Sequence, residues 1–327
     1  MLSKPKLFLS LLLVPVVLRA EEPKDLSQQI IDLMIQAAGN HPGYRPVHAK
    51  GIVCEGTFTA SKEAPEISRA AHLAGGAIPL TIRFSDGAPD PAVADNSPQA
   101  SPRGIAIRFK TPTGKATDIV AISHNGFVVA TGAEFLAFTK SQVETDPSKP
   151  HPWPVEAFLG SHPAALKFVK DLNTTPVSLA TEAFFGNNAF IFVNKAGVKQ
   201  AGRYQILPVG GAQYLDAASA KAKVPDFLSE ELKTRLADGP AKFRLVLQLA
   251  GPGDTTSDST VVWPADRKTV ELGVISITSV APNSASVEKA LAFDPTRLTD
   301  GIELSDDPLP ALRSRVYALS VAHRNSH

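Results

Sequence analysis

Short runs of alternating apolar and polar residues recur along most of this chain. They read GIVCEGTF from Gly51, PLTIRFS from Pro79, RGIAIRF from Arg103, TDIVAIS from Thr117, NAFIFVN from Asn188, RYQILPV from Arg203, FRLVLQLA from Phe243 and TVELGVISIT from Thr269. A period near two sends successive side chains to opposite faces of a strand. Gly, Pro and Asn fall between the runs, so the pattern predicts eight strands in an antiparallel barrel or sandwich. Residues 25–39 follow a helical period instead: Asp25 caps, Leu26, Ile30, Leu33 and Met34 form the apolar stripe, and Gly39 ends it. Further helical patches are expected at about 62–73, 132–142, 155–171 and 226–236. The stretch ALRSRVYALSVAHR, 311–324, also reads as a helix, with Arg313 and Tyr317 on one face and Arg324 near the same stripe. No repeat is visible, and the proline-rich DPSKPHPWP reads as a wrapping loop rather than a boundary. The expectation is one mainly β, α+β domain over residues 21–327, with helices around its strands.

Composition changes this picture little. The formal net charge of +1 and the absence of a basic block or acidic tail exclude an obvious nucleic-acid or polyelectrolyte partner. One cysteine, Cys54, excludes an intramolecular disulfide and any multi-cysteine metal site, and its place in an alternating run predicts a buried strand residue. The N-terminus adds a compartment. Two lysines, an apolar run from Leu7 to Leu18 broken only by Ser10, and then Arg19-Ala20 form a secretory signal, cut after Ala20. An uncleaved anchor is the alternative, since Leu18 replaces the small residue usual three positions before the cut. The protein is expected to be periplasmic or secreted, with no stable membrane insertion once the signal is removed.

Only four of the 327 residues are tyrosines, and Tyr317 lies among arginines. Two fixed cations beside a phenol favour its ionised form, and a phenolate suits a hard, high-valent metal better than it suits a core. No HxH or HExxH pairing occurs among the eight histidines. His48 is set apart by its place just before the first strand, with Arg45 three residues back, where a general base could line a barrel mouth.

These segments together resemble the haem catalases. RPVHAKG is similar to that family's R-x-x-H-A-K-G signature, and PLTIRFSD and SPRGIAIRFKT are similar to its R-F-S and P-R-G-F-A-x-K-F segments. DSTVVWPADRKTVELGVISI resembles the D-x-T-x-x-W-P region, and FDPTRLTDGIELSDDPLPALRSRVYALSVAHR resembles the F-D-P and R-x-x-x-Y blocks. The matches run in register from about residue 30. With the signal and a short chain, the closest likeness is to the small catalase-related peroxidases. The resemblance implies an eight-stranded antiparallel β-barrel and a haem of the b type. It implies that Tyr317 is the axial iron ligand and that Arg313 keeps it ionised. Arg45, Arg103 and Arg324 would bind the propionates, and His48 would be the distal acid–base. Val47 would flank that histidine, Phe135 would cover the porphyrin and Phe138 would line a channel.

Two segments depart from the family pattern. The distal asparagine belongs to an N-N-T-P-x-F-F stretch, where this chain has DIVAISHNGFVVATGAEF. Asn125 is the chemically sensible counterpart, while alignment on the downstream phenylalanines selects Ser123 or His124. The histidine behind the proximal arginine falls on Asn188, whereas Asp307 of the same network is kept. The implied activity is peroxidatic: hydrogen peroxide or an organic hydroperoxide is reduced by a small organic donor, with weak disproportionation. A hydroperoxide isomerase like the coral allene oxide synthases and a haem carrier without turnover are the alternatives. A monomer or homodimer is expected.

Overall fold

Eight antiparallel strands close on themselves in simple chain order. They are β1 (Gly51–Ala60), β2 (Ala77–Ser85), β3 (Gly104–Lys110), β4 (Ala116–Ile122), β5 (Phe184–Phe185), β6 (Lys199–Pro208), β7 (Ala241–Leu249) and β8 (Thr269–Val280). Each pairs with the next, and β8 pairs with β1, so the sheet has no free edge around the ring. This computed structural model describes residues 25–39, 41–112, 114–172 and 175–326. The expected signal, residues 1–20, lies outside the described residues.

Seven of the eight expected runs supply barrel strands. NAFIFVN forms a strand, Phe190–Val193, but outside the ring, between the first half of β6 and the short strand Ile302–Leu304. The fifth place goes instead to Phe184–Phe185, joined to β4 by the pair Ile122–Phe185 and to β6 by two pairs. Two residues are too few to show a period.

The barrel interior is solid. Phe84, Phe184 and Phe243 meet with ring centroids 5.8–6.4 Å apart, and Phe58 and Phe109 at 5.2 Å. Each fully buried ring contributes about 1.5–3 kcal/mol. Cys54 is in the same core, and burial pushes its thiol up to about 12, where it is inert. At the Glu55–Gly56 bulge the strands come so close that a Cβ on Gly56 would meet Ser276 O at 2.3 Å. Since Ile82 and Phe84 point inward, the alternate residues Arg83 and Ser85 face out of the barrel wall.

Helices cover that wall. They are α1 (Leu26–Ala38), α2 (Gly132–Val143), α3 (Pro154–Ser161), α4 (Pro163–Asp171), α5 (Phe227–Asp238), α6 (Ser284–Ala290) and α7 (Leu309–Asn325). The patch expected at 155–171 divides because Pro163 has no N–H, so α3 ends before it. The patch at 62–73 reduces to one turn, Ala64–Ile67, and a 3₁₀ turn, Ala71–Leu73. Ile30 and Ile31 of α1 pack with Leu309, Leu312 and Val316 of α7 in a second apolar cluster. That cluster sets the angle at which α7 presents Tyr317. No described helix is long and apolar enough to cross a membrane.

Candidate active site

The spacing of four on α7 brings Arg313 onto Tyr317. Arg313 Nη2 and Nε donate to Tyr317 Oη at 2.9 and 3.2 Å, with the guanidinium carbon 5.6 Å from the ring centroid. The remaining arm of Arg313 donates to Asn188 Oδ1 at 2.6 Å, and Asn188 Nδ2 donates to Asp307 Oδ2 at 2.8 Å. Carboxylate, amide, guanidinium and phenol therefore form one line. An amide can do this because it accepts through oxygen and donates through nitrogen. Two charge-assisted bonds from one guanidinium therefore fix the position of the phenol oxygen.

His48 lies on the connection from Arg45 into β1, in left-handed backbone geometry with φ of 56°. Its Nδ1 is 2.5 Å from the main-chain oxygen of Asp86 and 3.1 Å from Ser85 Oγ. A carbonyl can only accept, so Nδ1 carries the proton and Nε2 is left as the base. Burial and the positive Arg83 pull the imidazole down to about 4, so it is neutral near pH 7. The ring rests on β3 where Gly104 leaves room: a Cβ there would be 2.9 Å from Ser85 Oγ and 3.2 Å from His48 Cε1. Half-buried Val47 immediately precedes the histidine.

Three arginines gather beside α6. Arg83 donates to Glu288 Oε1 and to the main-chain oxygen of His48. Arg45 reaches Glu288 Oε1 at 3.2 Å and Leu291 O at 2.7 Å, and Arg324 reaches Lys289 O and Leu291 O at 2.9 and 2.6 Å. Burial, then Arg83 and Arg324, pull Arg45 down to about 8, the mark of a cluster short of anions. Arg103 is not in this group, contrary to expectation. It precedes β3 and turns the other way, with Nη2 2.5 Å from Asp95 O and Nη1 3.8 Å from the buried carboxylate of Glu182.

Phe135 on α2 stacks on Phe127 at 6.0 Å, and Phe138 meets Phe158 of α3 at 5.4 Å. Both are half-buried and can present faces to a flat ligand. Of the three candidates for the distal amide, Ser123 Oγ accepts from Arg103 N at 2.9 Å. His124 turns to Gly126 O and to Phe168. Asn125 is half-buried after the end of β4.

The donor set fits a haem. The phenol of Tyr317 with its cation suits ferric iron, and three guanidinium groups against the one carboxylate of Glu288 leave two positive charges, matching two propionates. Among the described residues, no cluster of three or more His, Cys, Asp or Glu side chains could hold a bare metal ion. Arg83, Ser85, Gly104 and Glu288 are the contributors that the reading of single motifs missed. The first two were within reach, because alternation along PLTIRFS puts them together opposite Ile82 and Phe84. Glu288 carried no signal.

Comparison with known proteins gives a consistent result. A family model described as Catalase matches residues 27–327. A catalase-related peroxidase of Mycolicibacterium paratuberculosis is 37% identical over 299 residues, covering 90% of this chain and 94% of its own. One from Synechococcus elongatus is 32% identical over 301 residues, covering 90% and 88%. Among solved structures, catalase A from Saccharomyces cerevisiae superposes with a TM-score of 0.77 at 22% identity, over 87% of this chain and 62% of that one.

Proposed function

This chain belongs to the catalase family, and from that premise we propose that it is a haem-dependent peroxidase with weak catalase activity at most. Its substrates on this reading are hydrogen peroxide or organic hydroperoxides, and a small organic molecule supplies the electrons. The observation that carries the reading is the pair of bonds from Arg313 to the Tyr317 hydroxyl, opposite in role to a neutral His48. Two relatives of nearly the same length bear the name catalase-related peroxidase, which supports it.

Tyr317 would hold the iron of a b-type haem, and Arg45, Arg83 and Arg324 would hold its propionates, with Phe135 and Val47 beside the ring. Bound there, haem would supply the two electrons that peroxide O–O cleavage requires, which the donor later restores. His48 Nε2 takes the proton from the inner peroxide oxygen and returns it to the departing one, which leaves as water or alcohol. Ser85 and the Asp86 carbonyl hold the Nδ1 proton, so the same nitrogen is the base in each cycle. Arg313, aligned by Asn188 and Asp307, would direct its two N–H bonds at the Tyr317 oxygen that holds the iron. Asn125 would orient the peroxide. A haem carrier has no use for a neutral, oriented imidazole.

We further place the protein in the periplasm or outside the cell, as a monomer or homodimer, with no nucleic-acid partner. The test is a pair of substitutions followed by absorbance. Tyr317→Phe should lose most of its Soret band, while His48→Ala should keep it and lose at least about a hundredfold in peroxide turnover. Full turnover in pigmented His48→Ala refutes the assignment.

A further inference from the structure

Asp86 follows β2, and its main-chain oxygen is the acceptor that fixes the His48 tautomer. Two further bonds tie the same turn to the histidine segment: Asp86 N donates to Lys50 O at 3.2 Å, and Ala49 N donates to Ala88 O at 3.0 Å. The Asp86 side chain closes the turn, since its Oδ1 accepts from Ala88 N at 3.1 Å. Its other oxygen is different. Asp86 is 7% exposed, and Oδ2 is buried with no hydrogen-bond partner among the described residues. A carboxylate left so would be strongly unfavourable. The neighbouring charges are committed elsewhere. Lys50 gives its three protons to Val93 O, Asp95 Oδ1 and Asp226 Oδ1. Arg83 is bonded to Glu288 and His48 O, while Arg103 turns Nη2 to Asp95 O and Nη1 towards Glu182. Burial outweighs the pull of Lys50 and Arg83, Asp95 adds to it, and the Asp86 carboxyl rises to about 7. Beside it lies a cavity of about 20 Å³, lined also by Lys50, Asp95, Arg103 and Ser229. About 10–15 Å³ is enough for one water.

We propose that Asp86 is a positioning residue for His48: as the neutral acid it bonds Ala88 N–H through Oδ1 and a water in this cavity through its Oδ2 hydroxyl, and so aims its own carbonyl at His48 Nδ1. The inference rests on the peroxidase reading and adds a group that works through the distal base. Once ionised, Oδ2 loses its hydrogen and stands near Asp95 with no cation of its own. The turn from 86 to 88 then shifts to draw in more water, and the Asp86 carbonyl moves with it. His48, pulled down to about 4, stays neutral while Asp86 titrates, so what changes is the orientation of the imidazole and not its charge.

The experiment compares haem-loaded wild type, Asp86→Asn and Asp86→Ala. Asparagine reproduces both bonds of the neutral acid, because its oxygen accepts from Ala88 and its amide hydrogens donate into the cavity, and it has no proton to lose. Peroxide turnover in wild type should fall about tenfold between about pH 6 and about pH 9, centred near pH 7, whereas the profile of Asp86→Asn should be level. Asp86→Ala should be about tenfold slower than Asp86→Asn at both ends of that range. The carboxyl itself is read apart from turnover, as the infrared difference between wild type and Asp86→Asn. A protonated-carboxyl band should be present at the acid end and gone at the alkaline end. Should Asp86→Ala fail to fold, the Asp86→Asn profile and the infrared band decide. The wild-type slope persisting in Asp86→Asn, equal turnover in the two variants, or no such band overturns the role of Asp86 while the peroxidase reading stands. Absence of peroxide turnover by the wild type at every pH overturns both.

Discussion

Asn188 shows how one residue can replace another of different chemistry and keep a line of bonds intact. It accepts from Arg313 and donates to Asp307, as a bridge must. Asn188→Ala should therefore leave the Tyr317–Arg313 contact in place but unaligned. We expect a shifted visible spectrum and about a ten- to hundredfold loss in peroxide turnover, the usual cost of removing a supporting partner. His72 makes the opposite point. It is fully buried near Phe58 and Phe109, and neither ring nitrogen has a hydrogen-bond partner. Burial pulls its pKa from 6.5 down to about 3, so the unfolded chain binds a proton that the folded one refuses. Stability from this group is complete above pH 6.5 and is lost as the pH falls towards 3. His72→Leu should raise the melting temperature at pH 5 more than at pH 8, measured by calorimetry on the haem-free protein. Spacing was enough to read Tyr317 with Arg313, since both lie on one helix. Asn188 and Asp307, far apart in sequence, were brought together by the family resemblance, and the fold supplied their hydrogen bond.

At the level of elements, strands set the positions and glycine sets the clearances. Gly104 opens β3 at the point where the His48 ring and Ser85 Oγ converge. Gly104→Ala should fold, keep its pigment and lose about tenfold or more in peroxide turnover, because about 1 Å of ring displacement is enough to spoil proton transfer. Stopped-flow mixing with peroxide reads that loss directly. Alternation made most strands legible, a cap residue located α1, and the spacing of Arg313, Tyr317 and Arg324 located α7. What could not be read is instructive. β5 is two residues long, and the strand that resembled a barrel member joins the sheet outside the ring. Arg103 had the right residue type and the right neighbours in sequence, yet its direction depends on β3 and on Glu182. Arg83 was overlooked although its position in the alternation was plain.

For the molecule as a whole, the barrel is a solid support with the chemistry on its outer wall, under α1, α2, α6 and α7. The chain spans about 60% of the catalases that it superposes on, and it shares their fold over that length. Among the described residues Glu288 is the one carboxylate bonded within the group of Arg45, Arg83 and Arg324, and removing its charge leaves these cations with carbonyl partners only. Glu288→Gln should lower the melting temperature of the haem-free protein by several degrees and that of the loaded protein by less, since the propionates bring anions of their own. A thermal scan of both forms decides it.

On the role proposed for Tyr317, its oxygen and the imbalance of charge around α6 also carry a consequence for biosynthesis. His48 comes far before Tyr317 in the sequence, so a ribosome releases the imidazole side long before the phenol side. The nascent chain cannot grip its pigment during translation. Loading waits until α7 has been made, and the chain must hold its own like charges apart in the interval.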